Sequence, residues 1–265
     1  MSSSLPAAHP EWNGLLQKRD ALHSQIAGTL TDLHALSDSG PVVLGRYSAA
    51  FGDRLSRLHA AEIEAARLKR EIELVQTAIN SGRDLDYVKI QESLEAEFAE
   101  WQAKLKAEAE NLTRQRAVLD HLLDPETTRA LRDRFRILAR RLHPDLNPTQ
   151  SHADAELWHR VTAAYEAQDL AELNALEILT RDADSVPPPE SMDTLRFMLQ
   201  KLRSQLDHLL VTLANRRKTW PFDQLLVLDD PAATGARQAE LDSRIATAEA
   251  LRDERKHWLN QLLDH

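Results

Sequence analysis

Apolar residues recur at alternating intervals of three and four over most of this chain, and no other feature of the sequence restricts its fold as strongly. Leu195, Leu199, Leu202, Leu206, Leu209 and Leu213 form the cleanest run. Leu58, Ala61, Ala65, Leu68, Ile72, Val75 and Ile79 form a second. Leu94, Phe98, Trp101, Leu105, Leu112, Leu119 and Leu122 form a third, provided Glu108 and Gln115 count as polar seam positions. This spacing gathers the apolar side chains on one face of a helix, and over several heptads it makes a seam along which helices pair. A sheet protein needs alternation by two and many turn residues, whereas 265 residues here hold 7 Gly and 5% aromatics. The expected fold class is all-α. No G-x-G-x-x-G or G-x-x-x-x-G-K-[ST] pattern occurs, which argues against a nucleotide-binding α/β fold.

The runs divide the chain. A first amphipathic helix is expected from about Trp12 to Leu36, ended by Ser37-Asp38-Ser39-Gly40-Pro41. The run from Phe51 to Ile79, the break at Ser81-Gly82-Arg83-Asp84 and a second helix over 87–123 predict an antiparallel hairpin. At 1.5 Å per residue the second helix would be about 55 Å long, which suggests an extended arm. Asp124-Pro125-Glu126 then restarts a helix, Asp as cap, Pro at the first position and Glu at the positive end of the dipole. We therefore expect an N-terminal helix and coiled-coil hairpin over 1–123, a small helical module over 124–181, a Pro-rich linker over 182–190 and a C-terminal coiled-coil hairpin over 191–265. In that last hairpin the leucine run ends at Arg216-Arg217-Lys218. The loop TWPFDQLLVLDDP follows, and the closing helix runs from about Thr234 to Leu263 through Leu241, Ile245, Ala248, Leu251, Trp258 and Leu262. Trp101 is expected in the core, and Trp220-Pro221-Phe222 to seal a hairpin end. The seams can pair within one chain or between copies, so a homo-oligomer is a candidate state.

Charge and chemistry narrow the function. Thirty-three Lys+Arg against 42 Asp+Glu give a net charge of -9, which opposes non-specific binding to nucleic acid or an anionic membrane. Without cysteine there is no disulfide, thiolate metal site or thiol nucleophile, and a reducing cytoplasmic compartment is the expectation. No segment approaches the roughly 20 apolar residues of a membrane span, and the start lacks a leader pattern. No Ser-His-Asp grouping, nucleophile elbow or carboxylate pair stands in a supporting context, so neither an enzyme nor a cofactor is expected. His152, Glu156 and His159 do not have a standard zinc spacing, and no metal is expected.

One segment carries distinctive chemistry. Residues 131–148 read LRDRFRILARRLHPDLNP. Leu131, Phe135, Leu138, Ala139 and Leu142 define a buried helical stripe, and Arg132, Arg136, Arg140 and Arg141 lie off it. Six arginines between 126 and 142 oppose only Glu126 and Asp133, a local reversal of charge that points to an acidic partner. The helix must stop at His143, because Pro144 disfavours helical geometry in the residue before it. His143 and Asp145 are then expected on an exposed loop. A second helix from about Ala153, with Leu157, Val161, Ala164 and Tyr165 inward, folds back antiparallel.

Leu131, Arg132, Phe135, Arg136, Leu138, Ala139, the His143-Pro144-Asp145 tripeptide, Asn147-Pro148 and the later Ala164-Tyr165-Glu166 together make this segment similar to a J domain, the DnaJ-type module. The resemblance covers about a fifth of the chain. It implies docking on a DnaK-type chaperone and stimulation of its ATP hydrolysis. Arg132, Arg136, Arg140 and Arg141 would steer toward an acidic surface, while His143, Pro144, Asp145 and Asn147 would favour the chaperone's hydrolysing conformation through differential binding. His143 would not be a general base in that role. The coiled coils would hold a protein client. The segment also departs from the family. Asp133 and Ile137 stand where lysines are usual, Leu146 follows the tripeptide where lysine is common, and AQDLAELNALEIL replaces the final helix. The family's first helix has no recognisable counterpart, Val118 to Leu123 being the nearest substitute. A second expectation, from a different class, is a coiled-coil adaptor or assembly scaffold in which these helices are a structural joint or a non-chaperone binding surface. Nucleic-acid binding through the arginines is a minority expectation.

Overall fold

Each long apolar run of the sequence folds as a helix. The structure, a computed structural model, describes residues 10–82, 85–147, 150–180 and 191–264. Its α-helices are α1 (Pro10–Asp38), α2 (Gly40–Tyr47), α3 (Asp53–Asn80), α4 (Tyr87–Ala117), α5 (Pro125–Leu142), α6 (His152–Glu166), α7 (Leu170–Leu179), α8 (Met192–Arg217), α9 (Leu225–Leu228) and α10 (Pro231–Leu263). A π-helical turn, Ser48–Gly52, leads into α3, and 3-10 turns occupy Val118–His121 and Phe222–Gln224. The chain is all-α: no strand occurs among the described residues. Nor is any described helix long and apolar enough to cross a membrane. The proposed linker, 182–190, lies outside the described residues, as does Pro148.

Helix starts follow from local chemistry. Asp86, Asp124, Asp169, Ser191 and Asp230 each accept a hydrogen bond from a backbone N–H of the first turn. Ser151 and Asp154 form a reciprocal capping box at α6. Pro125 and Pro231 open α5 and α10, where a missing N–H costs nothing. The break expected at residues 37–41 is far shorter than its composition suggests. Ser39 alone separates α1 from α2, because Pro41 falls in the first turn of α2 and needs no donor there.

The chain forms two compact units, each drawn from two stretches: Met1–Gly40 with Leu122–Asp223, and Pro41–His121 with Gln224–His265. In the first unit α5 packs against α1, α6 and α7, and α8 lies along α1. The core joins Ile26, Ala27 and Leu30 of α1 to the predicted α5 stripe, Leu131, Phe135, Leu138, Ala139 and Leu142. Trp158, Val161, Ala164 and Tyr165 of α6, Leu173 and Leu176 of α7, and Leu202 of α8 complete it. In the second unit α3 lies between two partners. Its pairs with α4 run antiparallel, His59 with Glu108 (3.0 Å) and Arg70 with Glu97 (3.2 Å). Its pairs with α10 run parallel, Arg54 with Asp242 (2.9 Å) and Arg57 with Glu249 (2.7 Å).

Several expectations need correction. The run 87–123 ends as α-helix at Ala117, and α3 and α4 are not a two-helix arm, since α10 covers a further face of α3. Residues 191–217 and 231–263 were expected to pair as a hairpin, but α8 finds its partner in α1 and α10 in α3. Leucine spacing shows that a helix has a seam and not which helix fills it. Trp101 is 51% exposed, with Lys104 Nζ 4.9 Å over its ring. Trp220 is also exposed, whereas Phe222 is buried against Gly40 with Arg216 over its ring. The two polar seam positions, by contrast, are satisfied across the interface: Gln115 by Ser48 and Glu108 by His59.

Close approach of α4 to the residues before α3 depends on two glycines. A Cβ at Gly45 would lie 2.7 Å from the Gln115 carbonyl oxygen, and one at Gly52 would lie 2.7 Å from Leu112 Cδ2. Gly235, inside α10, has no heavy atom within 4 Å of the same position. Helix propensity alone favours Ala over Gly by about 1 kcal/mol, so the surroundings decide the sign. Gly235→Ala should raise the melting temperature, whereas Gly45→Ala should lower stability by about 1–3 kcal/mol through overpacking, measured by urea unfolding.

Candidate functional site

The tip between α5 and α6 is set by its own backbone. Asp124 caps α5 through the N–H groups of Glu126 and Thr127, both at 2.9 Å, and Arg140 and Arg141 occupy the last turn, where positive charge complements the dipole. Pro144 ends the helix as expected, leaving His143 extended at φ -65° and ψ 128°. The His143 carbonyl then accepts from Leu146 N–H (3.0 Å), Asn147 N–H (2.9 Å) and Asn147 Nδ2 (3.2 Å). Asn147 Nδ2 also reaches the Arg140 carbonyl at 3.3 Å, satisfying a helix-end acceptor. Leu146 is buried in the core and anchors the turn from beneath. Pro144 and Asp145 remain exposed at the tip.

His143 is less exposed than the sequence suggests. Its ring meets the Trp158 ring edge to face at 4.9 Å, and its Nδ1 accepts the Asp145 N–H at 3.1 Å. That bond places the imidazole proton on Nε2. Burial lowers the His143 pKa below the ordinary 6.5, with nearby His34 acting in the same direction and the Asp145 carboxylate opposing. His23 on α1 is lowered as well, by burial and by Arg19 and Arg140, against Asp20. Both histidines are therefore held neutral at pH 7.

Five of the six arginines of α5 separate into two groups. Arg132, Arg136 and Arg140 are spaced by four and stand exposed in one row. Arg134 and Arg141 turn instead to α7. Arg134 donates to Asn174 Oδ1 (2.9 Å) and pairs with Glu177 (3.0 Å), and Arg141 donates to the Glu177 carbonyl (3.1 Å). Arg141 is thus tied to the C-terminal end of α7 and departs from the row in which the sequence placed it. The AQDLAELNALEIL segment supplies this contact. Gln168 turns the chain at φ 57°, Asp169 caps α7, and Leu173 and Leu176 are fully buried.

Sequence reasoning missed two partners of this tip. Val118 to Leu123 form no α-helix. Residues 118–121 form a 3-10 turn in the other unit, and Leu122 and Leu123 are exposed. The covering helix is α1, with Gly28 beside Arg136 and His34 edge-on to Phe135 at 5.0 Å. Its apolar stripe at Ile26 and Leu30 was visible, but about a hundred residues separate it from α5 and no local pattern links them. The second partner is α8. Phe197, Gln200, Lys201, Ser204, Gln205 and His208 form one wall of an open groove of about 630 Å³, and Pro144 and Asp145 form the other. Among the described residues no group of three His, Asp or Glu is placed to hold a metal ion, and His152 faces Glu156 at 3.4 Å on the surface of α6.

Comparison of the chain with protein-family models, curated proteins and solved structures finds no match in any of the three.

The lowered histidines give a pH dependence with a definite sign. In the unfolded chain each takes up a proton near pH 6.5, whereas in the fold each does so only at lower pH. Stability is full above about 6.5 and is lost as pH falls from there through the folded values. Urea midpoints should therefore drop between pH 7.5 and 5.5, and less so in His143→Gln. Asp145→Asn should lower the His143 pKa further, read from imidazole proton shifts in NMR, because it removes the opposing carboxylate.

Proposed function

We propose that the chain is a J-domain-like co-chaperone that recruits a DnaK-type chaperone and stimulates its ATP hydrolysis. The observation that carries this reading is the fixed tip. Pro144 and Asp145 are held outward by the hydrogen bonds on the His143 carbonyl and ring, next to the exposed row Arg132, Arg136 and Arg140. A preformed loop meets a partner at lower entropic cost than a mobile one, and a row of like charge steers an acidic surface toward it. In this reading α1 takes the place of the family's first helix, and α5, α6 and the tip form the J-like module. His143, Pro144, Asp145 and Asn147 favour one conformation of the chaperone, and no residue of this chain performs covalent chemistry. The helices α3, α4 and α10 act as coiled coils that select the client, with exposed apolar positions such as Trp101 and Val88 available for contact.

A second reading, an adaptor or scaffold with a structural joint, is favoured by one observation. Arg134 and Arg141 serve α7, and α1 runs beside the remaining row. The test is single-turnover ATP hydrolysis by a DnaK-type chaperone from the same organism, with wild-type protein and with His143→Gln. Loss of stimulation in a variant that keeps its helical circular-dichroism signal supports the co-chaperone. Equal stimulation by both proteins, or none from a folded wild type, removes it. Polar replacement of Leu202 does not test the scaffold, because that residue is 5% exposed in the core of the first unit and would report unfolding.

A further inference from the structure

We propose that α8 is the second wall of the docking site, so that the chaperone segment engaging Pro144 and Asp145 also contacts Phe197 and Lys201. This rests on the co-chaperone reading and adds to it residues some fifty positions beyond the tripeptide, which no motif marks.

Three observations carry it. First, α8 has two faces. Leu195, Leu202 and Leu213 are buried, with Met198, Leu206 and Leu209 packed on the core, while Phe197, Lys201, Ser204 and His208 follow one another at helical spacing along the groove. Second, Phe197 is 71% exposed, a large aromatic side chain standing at a concave edge where single anchors contribute most to an interface. Third, ion pairs are common on this protein, yet among the described residues neither Lys201 nor Asp145 has an ion-pair partner, although they stand on opposite walls of one groove.

The occupant that suits these walls is a segment of the chaperone bearing an apolar side chain for Phe197, a carboxylate for Lys201 and a donor or cation for Asp145. The sign agrees with the neighbouring surface. An acidic partner drawn to Arg132, Arg136 and Arg140 meets a further cation in Lys201 on reaching the tip. The surface is continuous with the tip, since Pro144 and Asp145 belong to both. Partner choice then depends on α8 as well as on the tripeptide.

Phe197→Ser and Lys201→Glu test this in the full chain. Both side chains are exposed, so helicity and melting temperature should stay at the wild-type values. Each variant should raise the concentration giving half-maximal stimulation of the chaperone's ATPase by roughly tenfold, with the maximum unchanged. His143→Gln should instead remove the maximum. If His143→Gln abolishes stimulation while both α8 variants stay within about twofold of wild type, the α8 wall is wrong and the co-chaperone reading stands. Variants that stimulate at lower concentration than wild type would also overturn it, by showing that α8 obstructs the site. If wild-type protein does not stimulate, both proposals fall together.

Discussion

The ring of Phe135 holds the first unit together. It is fully buried, packs at 4.3 Å from Tyr165 and 5.6 Å from Trp158 on α6, and receives the edge of His34 from α1 at 5.0 Å. One side chain of α5 is thereby shared with two other helices, and the aromatic geometry contributes beyond simple burial. The loop depends on it too, because Trp158 supports the His143 ring, whose Nδ1 in turn fixes the Asp145 amide. Without that support the tripeptide would remain in the sequence and lose its presentation.

Legibility followed the range of the interactions. The stripe Leu131, Phe135, Leu138, Ala139 and Leu142 is buried as expected, and so are Val161, Ala164 and Tyr165, because periodicity within one helix decides which face goes inward. The stop at His143 and the cap at Asp124 were equally local. The partners were not. Nothing near Phe135 announces α1, and the leucines of α8 are compatible with any apolar surface of suitable width. Trp101 occupies a heptad position and is nonetheless exposed, since seam spacing does not guarantee that a partner lies opposite every turn.

Electrostatics divides along similar lines. The count of six arginines on α5 was read from the sequence, but their division was not. Arg134 and Arg141 are used internally against α7, whereas Arg132, Arg136 and Arg140 stand exposed in one row, with Asp133 beside Arg136 at 3.9 Å. A charge count therefore overstates the surface available to a partner whenever a later helix brings carbonyls and carboxylates to the same face.

Neither unit is contiguous in sequence, and this orders events during synthesis. α1 leaves the ribosome before α5 with Ile26 and Leu30 uncovered, and it must wait for about a hundred further residues before α5 can receive them. α3 waits longer still, since α10 comes after every other helix described here. Contacts this distant along the chain raise the entropy cost of folding and slow it. In the interval α1 and α3 each present an unpaired apolar stripe, so the nascent chain passes through a period of its own vulnerability to aggregation before either core closes.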